Sequence, residues 1–140
     1  MCAAPDALGI FVVSADDPSA GRLIYEAIEL QKNHSSVPVE FEPEKLQFLS
    51  ILMRGQRCIS NGVINLEGDT GKIRNLITHP KQRKLGLGSM ALSLLEQVAE
   101  TRAISRIWLT SMDDATSFYA NRGYLPMPSG LSNMYRDLLK

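Results

Sequence analysis

Cysteine, histidine and tryptophan are scarce in this chain. Its 140 residues include two cysteines, two histidines and one tryptophan. Cys2 and Cys58 are too few, and too far apart in the sequence, for a disulfide framework, a zinc cluster or a Cys-x-x-Cys redox pair. The composition therefore predicts a protein of a reducing compartment, which we take to be the cytoplasm, and it predicts no bound metal.

Long apolar runs are missing as well. No stretch approaches the roughly eighteen apolar residues that a membrane-spanning helix needs, so no membrane association is expected. Residues 7–15 are apolar enough to imitate the core of a secretory signal. However, no Lys or Arg precedes them, and Asp6 stands where a positive segment belongs. We interpret this run as a first β-strand.

Net charge is absent too, because 15 basic side chains match 15 acidic ones. The charges are nevertheless segregated. Residues 1–71 carry five basic and ten acidic side chains, and the excess of positive charge lies in residues 72–88, which contain five Lys or Arg and no acid. Such a block favours an anionic partner. It contains no aromatic residue to stack on a base, and with zero net charge this argues against nucleic acid.

What is present is enough for one layered core. A chain of 140 residues with 44% hydrophobic side chains is typical of one globular domain spanning residues 1–140. Apolar patterns and turn signals predict strands at residues 9–14, 46–53, 58–66, 72–78, 104–110 and 134–139. A helix is predicted from Asp17 to Leu30, and another from Asp113 or Asp114 to Gly123. Residues 33–44 have no clear periodicity.

The strongest helical pattern starts near Gly86. Its apolar residues fall at helical spacing as far as Val98, and the segment before it is basic. Without side chains at Gly86 and Gly88, successive backbone N–H groups can point outward and add to the positive end of the helix dipole. This order of strand, basic loop, Gly-x-Gly and helix predicts an anion cradle suited to phosphate.

Two familiar phosphate motifs do not account for this segment. The nucleoside-triphosphate P-loop requires Gly-Lys followed by Ser or Thr, a combination that does not occur. Residues 86–91 satisfy G-x-G-x-x-A, as in dinucleotide-binding folds. However, residues 80–85 separate the first glycine from the strand, and the 52 residues after Gly88 are too few for the remaining βα units.

A third pattern fits in both spacing and setting. Residues 83–88, Arg-Lys-Leu-Gly-Leu-Gly, resemble the Q/R-x-x-G-x-G/A signature of the GNAT family of N-acetyltransferases, and Thr-His-Pro at residues 78–80 stands where that family has V-x-P. Residues 115–124 resemble the family's A-x-x-F-Y-x-x-x-G-F/Y segment. The resemblance covers most of residues 50–124, whereas the first 45 residues match only in outline.

The resemblance implies the acyl-CoA N-acyltransferase fold. This is an α/β (α+β) fold with a mixed, mostly antiparallel, splayed central sheet of six to seven strands flanked by helices. Acetyl-CoA, the implied co-substrate, would lie in the gap between the strand ending at Thr78 and the strand at residues 106–110. The backbone of Leu76, Ile77 and Thr78 would pair with its pantetheine arm. Its pyrophosphate would be held by the N–H groups of Arg83, Lys84, Leu85, Gly86, Leu87, Gly88 and Ser89.

The implied activity is acetyl transfer to an amine of a small molecule or peptide, by direct attack in a ternary complex. The resemblance places Tyr119 at the family's general-acid position. A phenol there can donate a proton to the leaving thiolate. The identity of the general base stays open, because residues 72–78 contain no carboxylate. The acidic candidates lie in flanking segments and are Glu40, Glu42, Glu44, Glu67 and Asp69. His79 is a weaker candidate that we expect to face solvent.

A second interpretation remains open at this stage. The missing strand carboxylate, and Met112 where the family often has an Asn, would also suit a non-catalytic acyl-CoA-binding or partner-binding module. A homodimer is compatible with either interpretation, because proteins resembling this one often pair through edge strands.

Overall fold

The computed structural model describes residues 7–35, 46–83, 85–111, 115–128 and 133–138. The strands in these ranges are β1 (Leu8–Ser14), β2 (Leu46–Arg54), β3 (Arg57–Glu67), β4 (Thr70–Thr78), β5 (Arg106–Thr110), β6 (Leu125–Pro126) and β7 (Asn133–Asp137). The α-helices are α1 (Gly21–His34), α2 (Leu87–Thr101) and α3 (Thr116–Ala120). Single 3₁₀ turns, Pro18–Ala20 and Pro80–Gln82, precede α1 and follow β4.

The strands form one mixed sheet in the order β1-β2-β3-β4-β5-β7-β6. The first four strands pair with their neighbours in antiparallel fashion, and β2, β3 and β4 correspond to the strands predicted at residues 46–53, 58–66 and 72–78. β5 then joins β4 in parallel, and β7 and β6 complete the sheet in antiparallel fashion. The predicted α/β class with a mostly antiparallel sheet is confirmed. The two-residue strand β6 was not predicted, because so short a segment has no periodicity.

The helices differ from the predictions mainly at their ends. Asp17 is an N-cap, as expected, and its carboxylate accepts a hydrogen bond of 2.9 Å from the Ser19 N–H. It caps the 3₁₀ turn, however, and α1 begins only at Gly21 and continues to His34. Gly86 is the N-cap of α2, in agreement with the predicted start of this helix near Gly86. The Asp113 and Asp114 positions, proposed as caps of α3, lie outside the described residues.

Helices cover both faces of the sheet. On one face, Ala27 and Leu30 of α1 pack against Leu49 and Ile51 of β2. On the other face, Leu92 and Leu95 of α2 pack in a cluster with Ile107, and α3 joins the same cluster through Tyr119. Because α1 covers one face while α2 and α3 cover the other, the two faces of the sheet offer different surroundings to a ligand held between strands.

β4 and β5 are paired over only three residues, and then they separate. The pairs are Thr70 with Arg106, Gly71 with Ile107 and Lys72 with Trp108. The ammonium group of Lys72 lies 4.6 Å from the centre of the Trp108 ring, a cation–π contact at the last pair. Beyond this point residues 73–78 of β4 continue with no partner strand on their β5 side among the described residues. The splayed sheet is therefore present.

A buried polar cluster fixes α2 to the C-terminal part of the chain. The Tyr124 hydroxyl donates a hydrogen bond of 2.9 Å to Glu96 Oε2, and Arg136 Nη1 donates one of 3.0 Å to the same oxygen. Tyr124 is 1% exposed. Burial first, and then the charge of Glu96, raises the pKa of Tyr124 well above its ordinary value. The phenol is thus a permanent donor to the carboxylate.

We expect Tyr124→Phe to lower the free energy of unfolding by about 1–3 kcal/mol, because it removes one partner of a buried charged acceptor. Urea denaturation monitored by circular dichroism measures the change. Tyr135→Phe is the matched control, since no described residue makes a hydrogen bond with the hydroxyl of that half-buried tyrosine. Equal losses in the two variants would contradict the assigned role of the Glu96 bond.

Candidate active site

The gap between β4 and β5 is shaped by a bulge in β4. Asn61 pairs with Ile77 while Val63 pairs with Arg74, so β4 contains one extra residue between these pairs. Asn75 lies within the bulge in the left-handed conformation, with φ of 53°, which asparagine tolerates better than most residues. The bulge bends β4 where it leaves β5.

A buried amide from α1 holds this bulge. Gln31 Nε2 donates hydrogen bonds to the backbone oxygen of Asn75, at 2.7 Å, and to Asn61 Oδ1, at 2.8 Å. Gln31 is 2% exposed and Asn61 is 0% exposed. The bond to Asn61 is buried and the bond to Asn75 is partly buried, so breaking the first would leave a buried amide oxygen unpaired. The conformation of β4 at the gap therefore depends on α1.

The end of β4 is attached to β3 by side chains. Ser60 Oγ donates a hydrogen bond of 3.0 Å to the backbone oxygen of Ile77 and lies 3.0 Å from Thr78 Oγ1. Leu76 packs against the α2 side of the sheet, whereas Ile77 packs against the α1 side. The three β4 residues predicted to contact the pantetheine arm thus lie where β4 is paired with β3 but not with β5.

The predicted anion cradle follows β4. Gly86 has φ of 77°, a left-handed conformation that suits glycine, and no side chain caps α2. The first hydrogen bond within the helix runs from the Met90 N–H to the Gly86 oxygen, at 3.1 Å. The N–H groups of Leu87, Gly88 and Ser89 therefore have no partner within the helix. A Cβ atom added at Gly86 would meet nothing within 4 Å, so the space before these donors is open.

Positive charge surrounds the cradle. Arg83 is exposed at its edge, and its Nε lies 3.5 Å from the Thr78 backbone oxygen, a long hydrogen bond that leaves the guanidinium free to turn. Leu85 is exposed beside it. Lys84, which was predicted to assist, lies outside the described residues. Together with the helix dipole, Arg83 makes the start of α2 attractive to a phosphate.

The two sequence motifs meet at the first turn of α2. A Cβ atom at Gly88 would lie 3.3 Å from Thr78 Oγ1 and 3.9 Å from the Phe118 ring. Arg122 follows α3, and its Nη1 and Nη2 donate hydrogen bonds of 2.9 and 3.1 Å to the hydroxyls of Ser89 and Ser93. The segment that carries Tyr119 is thereby docked on the helix that forms the cradle.

Tyr119 is a buried phenol. Its ring makes edge contacts with Phe118, at 5.1 Å between centroids, and with Tyr124, at 5.8 Å. Burial raises the pKa of Tyr119 to about 12. Among the described residues, no hydrogen-bond partner of its hydroxyl is found. The group is therefore a neutral proton donor at physiological pH, with its donor capacity unused.

The structure places two of the candidate bases, Glu67 and Asp69, away from the gap. Glu67 and Asp69 lie at the β3–β4 turn, at the closed end of β4, where Asp69 Oδ2 accepts a hydrogen bond of 3.0 Å from Ser105 Oγ. Glu40, Glu42 and Glu44 lie outside the described residues, as does Met112. No carboxylate of a described residue is thus placed at the gap by β4 or by the turn before it.

His79 differs from the expectation that it faces solvent. Its ring is half-buried on the α1 side, 4.5 Å from the His34 ring, and its Nδ1 accepts a hydrogen bond of 3.1 Å from the Lys81 N–H. Partial desolvation, and then the neighbouring His34, Lys81 and Arg57, lower the pKa of His79. The contact with the exposed His34 ring places His79 beside the end of α1.

Sequence reasoning missed the residues that support the site. Gln31, Asn61 and Asn75 form their contacts across long sequence separations, and only an asparagine within a β-rich segment hinted at the bulge. Arg122 lies inside a recognised motif, but nothing in the motif indicates bonds to two serines of another helix.

Two absences apply to the described residues alone. Within them, no group of three or more His, Cys, Asp or Glu side chains is placed to hold a metal ion. No helix in the same ranges is long and apolar enough to cross a membrane.

Sequence comparison identifies relatives of this chain. The sequence model of the acetyltransferase (GNAT) family matches residues 10–124. An uncharacterized N-acetyltransferase of Pyropia yezoensis is 32% identical over 68 residues, which is 49% of this chain and 39% of that protein. The chain spans about two fifths of the length of the curated relatives it matches.

Solved structures have the same fold. An acyl-CoA N-acyltransferase from Pseudomonas aeruginosa superposes with a TM-score of 0.75 at 14% identity, covering 93% of this chain and 99% of that one. N-acetylglutamate synthase from Neisseria gonorrhoeae, complexed with coenzyme A and N-acetyl-glutamate, superposes with a TM-score of 0.65 at 17% identity, covering 94% of this chain and 36% of that one. At these identities the likeness establishes the fold.

We expect the Tyr119 phenol to stay protonated well beyond pH 10, because its folded pKa is about 12 against an ordinary value of 10.0. Its contribution to stability is then complete below pH 10 and is lost as the pH rises through 12. Tyrosinate absorbance of the wild type and of Tyr119→Phe, titrated in parallel, should coincide up to about pH 11. A tyrosinate signal near pH 10 that Tyr119→Phe removes would contradict the burial effect.

Proposed function

Because the chain belongs to the acetyltransferase (GNAT) family, we propose that it is an N-acetyltransferase that transfers an acetyl group from acetyl-CoA to a primary amine. The observation that carries this proposal is the path of β4. The edge of β4 that faces the gap has no partner strand over residues 73–78 among the described residues. The strand ends at Thr78, which lies close to Gly88 in the anion cradle at the start of α2. A thioester carrier with a long arm and a diphosphate matches both parts.

The residues of the cradle and of β4 fit coenzyme A. Leu76, Ile77 and Thr78 offer an extended backbone to an amide-containing arm, and the unpaired N–H groups of Leu87, Gly88 and Ser89 suit a pyrophosphate. Bound acetyl-CoA would supply the acyl group as a thioester. The complex of the Neisseria gonorrhoeae synthase with coenzyme A supports this choice of co-substrate, although that protein is only a fold neighbour.

Tyr119 is the proposed general acid. A phenol whose pKa is raised to about 12 by burial keeps its proton at neutral pH, and the same burial raises the proton affinity of a thiolate that forms beside it, so the phenol can donate to that thiolate. The edge contacts with Phe118 and Tyr124 keep the ring in one orientation. The chain thus contributes alignment and one proton, while the amine provides the nucleophile directly.

The proposed acceptor is a cationic amine of a small molecule or a peptide. The excess of acidic side chains in residues 1–71 favours the approach of a positively charged substrate. We further propose that residues 1–140 act as a single domain, that the protein works in the cytoplasm, and that it can form a homodimer. These proposals rest on composition and on the behaviour of the family.

A second candidate function is a non-catalytic acyl-CoA-binding module. Residues 72–78 of β4 contain no carboxylate that could act as a base, and this observation alone favours the alternative. The two functions differ in one result. A binding module is stabilised against heat by acetyl-CoA but releases no thiol in the presence of any amine.

We expect purified protein to release coenzyme A thiol from acetyl-CoA with at least one member of an amine panel. In Tyr119→Phe, kcat should fall about a hundredfold while KM changes little, because a proton transfer is lost and binding is not. Tyr135→Phe serves as the control and should retain kcat. Full activity of Tyr119→Phe would remove Tyr119 from the mechanism, and heat protection without turnover would favour the binding module.

We also expect the pH dependence of kcat/KM to follow the substrate. If no carboxylate takes the amine proton, the rate rises with pH to a midpoint that tracks the pKa of each amine used. Tyr119 causes no fall below about pH 10, because its pKa is about 12. A rising limb with the same midpoint for amines of different pKa would instead reveal a base on the protein.

A further inference from the structure

A second cavity lies on the α1 side of the sheet. It has a volume of about 740 Å³, is open to solvent, and is lined by residues of α1, of the turn between β2 and β3, and of the 3₁₀ turn Pro80–Gln82. We call it the α1 cavity. Its charged and titratable lining includes His34 and two glutamates from α1, Arg57 from β3, and His79 and Lys81 after β4.

Positive charge in the α1 cavity is unbalanced. Arg57 and Lys81 make no ion pair with any residue in the described ranges. Both line the cavity together with His79, and their charges contribute to the lowered pKa of that residue. A group of cations without carboxylate partners repels itself, and an anion bound among them would relieve that repulsion.

The acids of the α1 cavity are already paired. Glu26 Oε2 lies 3.7 Å from Arg22 Nε, and Glu29 Oε1 lies 3.5 Å from Lys32 Nζ. Both partners lie on α1 itself, one turn away from the glutamates. Among the described lining residues, Arg57 and Lys81 are therefore the cations that have no ion-pair partner.

The α1 cavity is separate from the gap between β4 and β5. Its walls come from the ends of β2 and β3, which lie on the opposite side of β4 from β5 in the sheet. None of the predicted coenzyme A contacts or Tyr119 lines it. On α1, Gln31 reaches the bulge of β4, whereas Glu26 and Glu29 face the cavity.

We propose that the α1 cavity is a second binding site, specific for a small molecule that carries a phosphate group. Arg57 and Lys81 pair with the phosphate, and the His34 and His79 rings form the adjoining wall. A dianion with several acceptor oxygens uses more of these donors than a monoanion does. The site goes beyond the proposed transfer reaction, and its occupancy does not depend on that activity.

Inorganic phosphate, titrated at constant ionic strength into the full chain, tests the proposal. The ring proton signals of His34 and His79 in NMR spectra should shift saturably. Arg57→Gln should weaken the apparent affinity about tenfold, since it removes a charge-assisted contact. Arg106→Gln, which removes an equal charge from the far end of β5, is the matched control and should bind like the wild type.

The source of the phosphate is tested by repeating the titration with saturating coenzyme A or 3′-dephospho-coenzyme A. Undiminished phosphate binding in both supports a separate site. Displacement by coenzyme A but not by the dephospho compound would overturn the proposal, because the cavity would then hold the 3′-phosphate of the co-substrate. Unsaturable shifts, or equal affinity in Arg57→Gln, would overturn it as well, without touching the proposed acetyl transfer.

Discussion

The short parallel pairing between β4 and β5 is the constraint on which the rest of the structure depends. Three residue pairs join the strands, ending at Lys72 and Trp108. Beyond them β4 is bent by the bulge at Asn75, whose backbone oxygen is held by Gln31. Had the pairing continued, backbone groups would have been used within the sheet, and none would remain for a ligand. The gap therefore exists because the ladder is interrupted at a defined point.

The two sides of the gap are held in place by different means. On the β4 side, polar contacts from α1 and β3 fix the strand, with Gln31 and Ser60 as the donors. On the β5 side, the network of Tyr124, Glu96 and Arg136 fastens α2 to the last strands. The start of α2 is connected to both sides of the gap. It follows β4 in the chain, and its Ser89 and Ser93 accept hydrogen bonds from Arg122, which lies in the segment around Tyr119. The anion cradle and the proposed general acid, Tyr119, are thus both held by α2.

Periodicity and the resemblance to the GNAT family together predicted the fold. The individual strands and the long helix after Gly86 follow from apolar patterns, because each element buries one face, whereas the mixed, splayed sheet was implied by the resemblance. Tertiary contacts decide what was missed. The bulge at Asn75 is held by an amide from α1, and the ring of His79 contacts the ring of His34. No local pattern encodes such pairs. The roles assigned to Tyr119 and to the cradle stay predictions, since they concern chemistry rather than position.

The placement of Trp108 has a practical consequence. It is the only tryptophan among 140 residues, and it stands at the branch point of the two strands with the Lys72 ammonium over its ring. Indole emission responds to nearby charge. The fluorescence of Trp108 should therefore change when the Lys72 ammonium moves away from its ring, that is, when β4 and β5 separate at this point. Binding of a ligand between the two strands, or their separation in denaturant, will change the fluorescence of this one tryptophan, whose position in the structure is known.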